Sequence, residues 1–278
     1  KRLRYQAFLP RTCEVASAVV CVSEATLEGL LGSTQTDARR CEVIGEGPQL
    51  LDGTTDRPSA EEPYVLYVGS LDPRKNVDTL VDAFAAGDAP PAMLLIAGPT
   101  DSRSDGALRR RLARHGVGHR VRHLGFVSAQ QLDALYRDAL ALVLPSLYEG
   151  FGLPVLEAME RGTPVVASDI PPLREVADDA ALYVARPLDV EAWRGALHRI
   201  CSDDALRAEL SRRGATAAGR FAWPQVGLRF SDLLQRVAAT GTLAAPAHRP
   251  ASAETDELRQ RAASPLAAGV PAGAEPTE

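Results

Sequence analysis

From residue 64 to residue 184 the chain alternates short apolar runs with longer amphipathic stretches, and few folds accommodate that rhythm. The runs lie at 64–68, 93–97, 121–124, 140–144, 165–168 and 181–184, and each reads as a strand. The stretches at 76–86, 107–115, 129–137 and 154–161 read as helices filling the gaps. Strands such as "YVLYV", "MLLIA" and "LALVL" carry no polar alternation, so both faces of the sheet they form must be covered. Strand and helix in strict alternation, with both sheet faces covered, predict an α/β fold: a Rossmann-like, doubly wound parallel sheet. After Ala185 the pattern turns helical, over 190–201, 204–213 and 224–238.

The most specific stretch is "LALVLPSLYEGFGLPVLEAMERGTPVVAS". An apolar strand ends at Pro145, a turn follows through Gly150, Phe151 and Gly152, and a helix begins beside Leu153 and Pro154, proline being favoured in a first helical turn. Gly162-Thr163-Pro164 ends the helix and another strand starts. Glu149 thus sits at the carboxyl end of a strand, and Glu157 about one turn into the next helix. Ligands of open α/β sheets bind at that edge. The helix start offers unpaired N–H groups and a positive dipole end, which suit an anion, and Gly150 and Gly152 allow close approach to the backbone. A bare Glu-x7-Glu spacing is common on ordinary crossovers; the glycines and prolines around it are what distinguish this one.

Residues 64–84, "YVLYVGSLDPRKNVDTLVDAF", form a second unit of the same kind. A β-branched and aromatic strand leads through Gly69, Ser70, Leu71, Asp72 and Pro73 to a helix that Asn76 or Asp78 can cap. Arg74 and Lys75 therefore stand between a strand end and a helix start. Two cations there can hold a diphosphate, arginine through a planar fork and lysine as a point charge; taken alone they also suit a solvated loop. A third turn, Gly125-Phe126-Val127-Ser128, follows the strand at 121–124, with Ser128 placed to cap the next helix.

"EGFGLPVLEAM", the trailing "GTPVVAS" and "GSLDPRKN" together resemble the donor-binding motifs of retaining glycosyltransferases of the GT-B fold, family 4 or group 1. The resemblance implies that Glu149 lies against the donor sugar, that Glu157 hydrogen-bonds the nucleotide ribose, and that Lys75 stabilises the departing nucleoside diphosphate. It puts Phe126 and Val127 beside the base and Gly69, Ser70, Gly150, Phe151, Gly152 and Leu153 around the diphosphate and sugar. Many relatives carry Arg where this chain has Ser70, so Arg74 is expected to supply the second cation. The "LDPRKN" segment resembles mannosyl- and related hexosyltransferases, which favours GDP-mannose over a UDP-sugar. It implies a metal-independent transfer with no cofactor, to a saccharide or lipid-linked acceptor.

The resemblance extends over nearly all of residues 1–240, as the second half of a two-domain enzyme. Residues 1–50 are expected to be a remnant of the N-terminal acceptor domain, 51–62 a linker, 63–222 the donor-binding domain, and 223–240 a crossover helix. Residues 241–278, rich in Ala, Pro, Glu and Gly, are expected to be a disordered tail. The rest of the acceptor domain is expected in cis or as a partner chain; the alternative is a non-catalytic nucleotide-sugar-binding subunit of a split transferase. A sugar-nucleotide 2-epimerase shares the two-domain fold but not the Glu-x7-Glu block.

Several other classes are excluded. The formal net charge of −5 gives no basic bias for nucleic acid. The first strand–helix turn lacks the G-x-G-x-x-G of a dinucleotide dehydrogenase. A helical glutamate behind a nucleotide loop is poorly placed for glycoside hydrolysis. His115, His119 and His123 are evenly spaced, but Gly116 and Gly118 interrupt any helix that could align them on a metal. Cys13, Cys21, Cys41 and Cys201 are scattered, as in a reducing compartment. With no apolar run long enough to span a bilayer and no visible signal peptide, the sequence reads as cytoplasmic, and peripheral contact at the inner membrane face remains compatible with it.

Overall fold

The computed structural model describes residues 2–49, 62–85 and 90–241, with side chains from residue 8 onward. The expected tail beyond Gly241 and nearly all of the expected linker lie outside the described residues. The chain divides into two units, one running to Glu46 and resuming at Pro224, the other Gly47–Trp223.

The first unit opens with helix α1 (Arg2–Val15), which the sequence reading does not anticipate. Strand β1 (Val19–Cys21) and helix α2 (Glu24–Ser33) follow, the helix capped by the Ser23 hydroxyl, which accepts from the Thr26 amide at 3.0 Å. Strand β2 (Cys41–Val43) pairs parallel with β1, Val19 opposite Cys41. Cys13, Cys21, Leu27, Leu31 and Cys41 share one small buried cluster.

The second unit carries the sheet. Its elements are β3 (Tyr64–Val68), α3 (Val77–Ala85), β4 (Met93–Ala97), α4 (Ser102–His115), β5 (Val121–Gly125), α5 (Ala129–Asp138), β6 (Ala141–Leu144), α6 (Leu153–Glu160), β7 (Val165–Ser168), α7 (Pro171–Ala177), β8 (Ala181–Val184), α8 (Val190–Ser202) and α9 (Asp204–Ala218). The strands are all parallel in the order β5-β4-β3-β6-β7-β8. Val65, Leu66, Leu94, Ile96, Leu142, Leu144, Val165 and Val166 are wholly buried, as strands covered on both faces require. Helices α3, α4 and α8 pack together, and α5, α6, α7 and α9 form a second group. A last helix, α10 (Trp223–Thr240), carries the chain back into the first unit, where Val226 and Leu233 pack with Ile44.

Every expected strand is present; helix ends differ, and two helices, α1 and α7, are additional. Helix α4 starts at Ser102 rather than at Ala107, because the Asp101 carboxylate accepts from the Ser104 amide at 2.7 Å and closes a polar first turn. Helix α9 continues to Ala218, past the expected end at Arg213. Helix α7 was not anticipated: it spans only Pro171–Ala177, too short for periodicity to register. Among the described residues no helix is long and apolar enough to cross a membrane.

Two close approaches shape the second unit. Gly98, at the end of β4, has φ +147, and a Cβ there would lie 2.2 Å from the Gly69 carbonyl oxygen. The backbone ends of β3 and β4 therefore touch, and only glycine fits. At the boundaries of the unit the Trp223 indole N–H donates to the Pro48 carbonyl at 2.7 Å, and its ring lies so close to Gly47 that a Cβ there would meet it at 2.6 Å.

Candidate active site

The order β4-β3-β6-β7 places the sheet's reversal between β3 and β6. Helix α3, which follows β3, belongs to one helix group, and α6, which follows β6, belongs to the other. A crevice opens at such a reversal outside the carboxyl ends of the strands. Lys75 follows β3 and Glu149 follows β6, so the topology brings them to this point from positions far apart in sequence.

The two side chains meet there. Lys75 Nζ donates to Glu149 Oε1 at 2.6 Å, and the Ser146 hydroxyl donates to the same oxygen at 2.7 Å. Arg74 Nη1 stands 3.9 Å from Glu149 Oε2 and 3.5 Å from the Tyr148 carbonyl. Glu149 and Ser146 are buried, and the Lys75 side chain is 11% exposed against 47% for Arg74. One cation is thus fixed inside the crevice and the other reaches solvent at its rim.

The loop carrying the cations is tightly built. Asp72 accepts from the Arg74 amide at 3.0 Å and caps a short 3-10 turn over Pro73–Lys75. Tyr67 Oη donates to the Ser70 carbonyl at 2.7 Å, and the Leu147 amide to the Arg74 carbonyl at 2.8 Å. Asn76, read as a cap candidate for the next helix, closes the 3-10 turn and ties loops together. It takes a left-handed conformation (φ 56), and its amide nitrogen donates to the Pro145 carbonyl at 3.1 Å and the Pro187 carbonyl at 2.7 Å. Its oxygen accepts from Thr79 Oγ1 at 2.7 Å. One buried side chain thereby ties the loops after β3, β6 and β8 together.

Helix α6 begins at Gly152, which has φ +114 and leaves no room for a side chain, since a Cβ would lie 2.6 Å from Leu173 Cδ2. No side chain caps this helix, so its positive end faces the crevice side of the sheet without a built-in anion. The Phe151 ring is buried edge-on against Phe221 at 5.3 Å, so this residue can offer a ligand its backbone but not its ring. Gly69 and Ser70 open the cation loop. Phe126, largely exposed, and the half-buried Val127 follow β5, two strands from β3 at the same sheet edge.

Glu157 lies on α6 and is buried. Tyr136 Oη donates to its Oε2 at 2.8 Å, and the Gln49 backbone amide also reaches the carboxylate. Burial pushes the Glu157 carboxyl above its ordinary range, against the opposing pull of Tyr136, Arg161 and Gln49. The Tyr136 hydroxyl is held far above its usual value by burial and by Glu157, so it stays a donor.

Among the described residues no cluster of three or more His, Cys, Asp or Glu side chains could hold a metal. His115 instead faces Asp82 at 3.2 Å and His123 faces Asp105 at 3.3 Å. The structure therefore brings Arg74, Lys75 and Glu149 into one cluster and sets Glu157 on the adjoining helix. Tyr136, Gln49 and the clamp by Asn76 were not found from sequence, because their partners are distant in the chain; Ser146 lies only three residues before Glu149, but nothing in the sequence shows that the turn folds its hydroxyl back onto that carboxylate.

A doubly wound parallel domain with cations and buried carboxylates at its reversal has the architecture of the nucleotide-binding domain of the GT-B fold. The chain belongs to the family of glycosyl transferases group 1, whose model matches residues 56–217. It is 39% identical over 165 residues to O-antigen chain mannosyltransferase B of Escherichia coli, covering 58% of this chain and 42% of that protein. It is 30% identical over 200 residues to O-antigen chain mannosyltransferase RfbU of Salmonella typhimurium, covering 72% of this chain and 55% of that one. The chain thus spans about half the length of these relatives. Among solved structures, sucrose-phosphate synthase from Thermosynechococcus elongatus superposes with a TM-score of 0.71 at 30% identity, over 84% of this chain and 61% of that one. HepE from Anabaena, in complex with UDP and glucose, shares the fold with a TM-score of 0.72 at 20% identity, over 83% and 66%.

Proposed function

We propose that the second unit binds a nucleotide-diphospho-sugar and forms the donor side of a retaining hexosyltransferase, with a mannosyl group as the group transferred. The observation that carries this reading is the Lys75–Glu149 pair at 2.6 Å, set at the sheet reversal beside the uncapped start of α6. In this reading the diphosphate sits against Lys75, Arg74 and the first turn of α6. These groups meet the charge that grows on the leaving group as the glycosidic bond breaks. Glu149 turns from its cation toward the sugar hydroxyls, Glu157 accepts from the ribose, and Phe126 and Val127 flank the base. The acceptor hydroxyl attacks from the face the leaving group departs. No step draws on a metal or a cofactor, since protein cations carry the charge.

The mannosyltransferase names of two relatives support mannose, and GDP-mannose is therefore the donor we assign. The acceptor is a saccharide or a lipid-linked saccharide, held by a second domain in cis or on a partner chain. We place the reaction in the cytoplasm, at the inner face of the membrane where such an acceptor is presented. The four free cysteines fit that compartment.

Calorimetry with nucleotides tests the phosphate assignment. Lys75→Ala is expected to weaken GDP by tenfold or more, a charge-assisted bond being worth about 1.5–3 kcal/mol, and to leave guanosine unchanged. Equal losses for GDP and guanosine would show that Lys75 shapes the fold and does not hold phosphate.

A further inference from the structure

Helix α5 grips α6 chiefly through Tyr136, which bonds at both ends of its length. The Tyr136 carbonyl accepts from Thr163 Oγ1 at 2.7 Å, just past the end of α6, while the Tyr136 hydroxyl donates to Glu157 Oε2 at 2.8 Å. Tyr136 is wholly buried, and the Arg161 guanidinium lies 5.5 Å from its ring centroid. Arg161 is in turn held by Asp133 of α5 at 2.7 Å. A buried phenol costs free energy unless its hydroxyl is paired, and this one is paired to a carboxylate on the neighbouring helix.

We propose that Tyr136 is a positioning residue for the donor site: its hydroxyl fixes the orientation of the Glu157 carboxylate and keeps that carboxylate ionised. The proposal rests on the reading that Glu157 accepts hydrogen bonds from the ribose. A carboxylate can accept from two ribose hydroxyls only while it carries no proton. The groups acting on Glu157 are the Tyr136 hydroxyl from α5, the Gln49 amide from the segment before β3, and Arg161 and Glu160 from its own helix end. Burial and Glu160 favour the protonated form; Tyr136, Arg161 and Gln49 favour the charged one. Removing the tyrosine hydroxyl takes away the strongest opposition to burial, so Glu157 then binds its proton at higher pH.

Tyr136→Phe tests this with little change of volume. The readout is the affinity for a nucleoside and its diphosphate between pH 5.5 and 8.5 on the full chain. In the wild type, affinity falls at the acid end as Glu157 takes up a proton. In Tyr136→Phe that fall is expected to begin about one pH unit or more higher, a hydrogen bond to a charged group being worth at least that much. Affinity at the alkaline end should stay within about threefold of the wild type, because the carboxylate is ionised there in both proteins and loses only its orienting bond. A loss of equal size at every pH would overturn the proposal, since it would mark a packing defect. An unshifted profile at wild-type affinity would overturn it too. Glu157→Ala separates this from the underlying reading. If that variant binds nucleoside as well as the wild type, the ribose assignment itself fails; if it loses affinity while the Tyr136→Phe profile is unshifted, only the positioning role fails.

Discussion

At the scale of single residues, Glu149 is the pivot. Its Oε1 receives both Lys75 Nζ and the Ser146 hydroxyl, and its Oε2 faces Arg74. Without ligand, the buried carboxylate and the nearly buried ammonium neutralise each other; in the proposed reading a diphosphate takes over as the partner of Lys75. Breaking a buried pair from one side strands the other charge. Lys75→Met should therefore destabilise the chain by about 3 kcal/mol. The Lys75→Met/Glu149→Gln double variant should recover part of that, with a coupling energy of about 1–3 kcal/mol in urea unfolding. Strict additivity would mean that the pair is not coupled in solution. The residue types at this site were readable, because strand ends with glycine, proline and charge have a local signature. Their partners were not. Lys75 and Glu149 are separated by 74 positions, and the Tyr136 hydroxyl reaches across from a helix whose sequence reads as ordinary packing.

At the scale of elements, the strands were legible because each is an uninterrupted apolar run. Helices with a polar or short first turn were not. Helix α7 opens with two prolines and ends after two turns, and the start of α4, "SRSDG", looks like a loop until Asp101 caps it. Helix α1 contains Pro10, which argues against a helix on propensity alone. The glycines at strand ends are a further element-level feature. Gly98 seats the end of β4 directly on the Gly69 carbonyl, at the root of the cation loop. Gly98→Ala should cost on the order of 3 kcal/mol, from the left-handed φ and the backbone clash together. It should also weaken diphosphate binding by shifting the loop that carries Arg74 and Lys75. Gly118→Ala, where an added Cβ meets nothing within 4 Å, is the control and should change stability little. Equal behaviour of the two variants in urea unfolding would refute the close-approach argument.

At the scale of the whole molecule, Gly47–Trp223 is a unit with its own sheet, its own core and its own site. Its first and last residues meet at the Trp223 indole, through the 2.7 Å bond to Pro48 and the ring against Gly47. The unit is consequently a loop closed at its neck, and a tether attached at either flank pulls on that neck before it reaches any strand. Under tension, the indole contact acts as a mechanical fuse in series with the sheet. In single-molecule stretching, a small early rupture should precede the main unfolding event, and Trp223→Ala should abolish the first while leaving the force of the second unchanged. A main event that weakens along with the first would mean that load enters the sheet by another route.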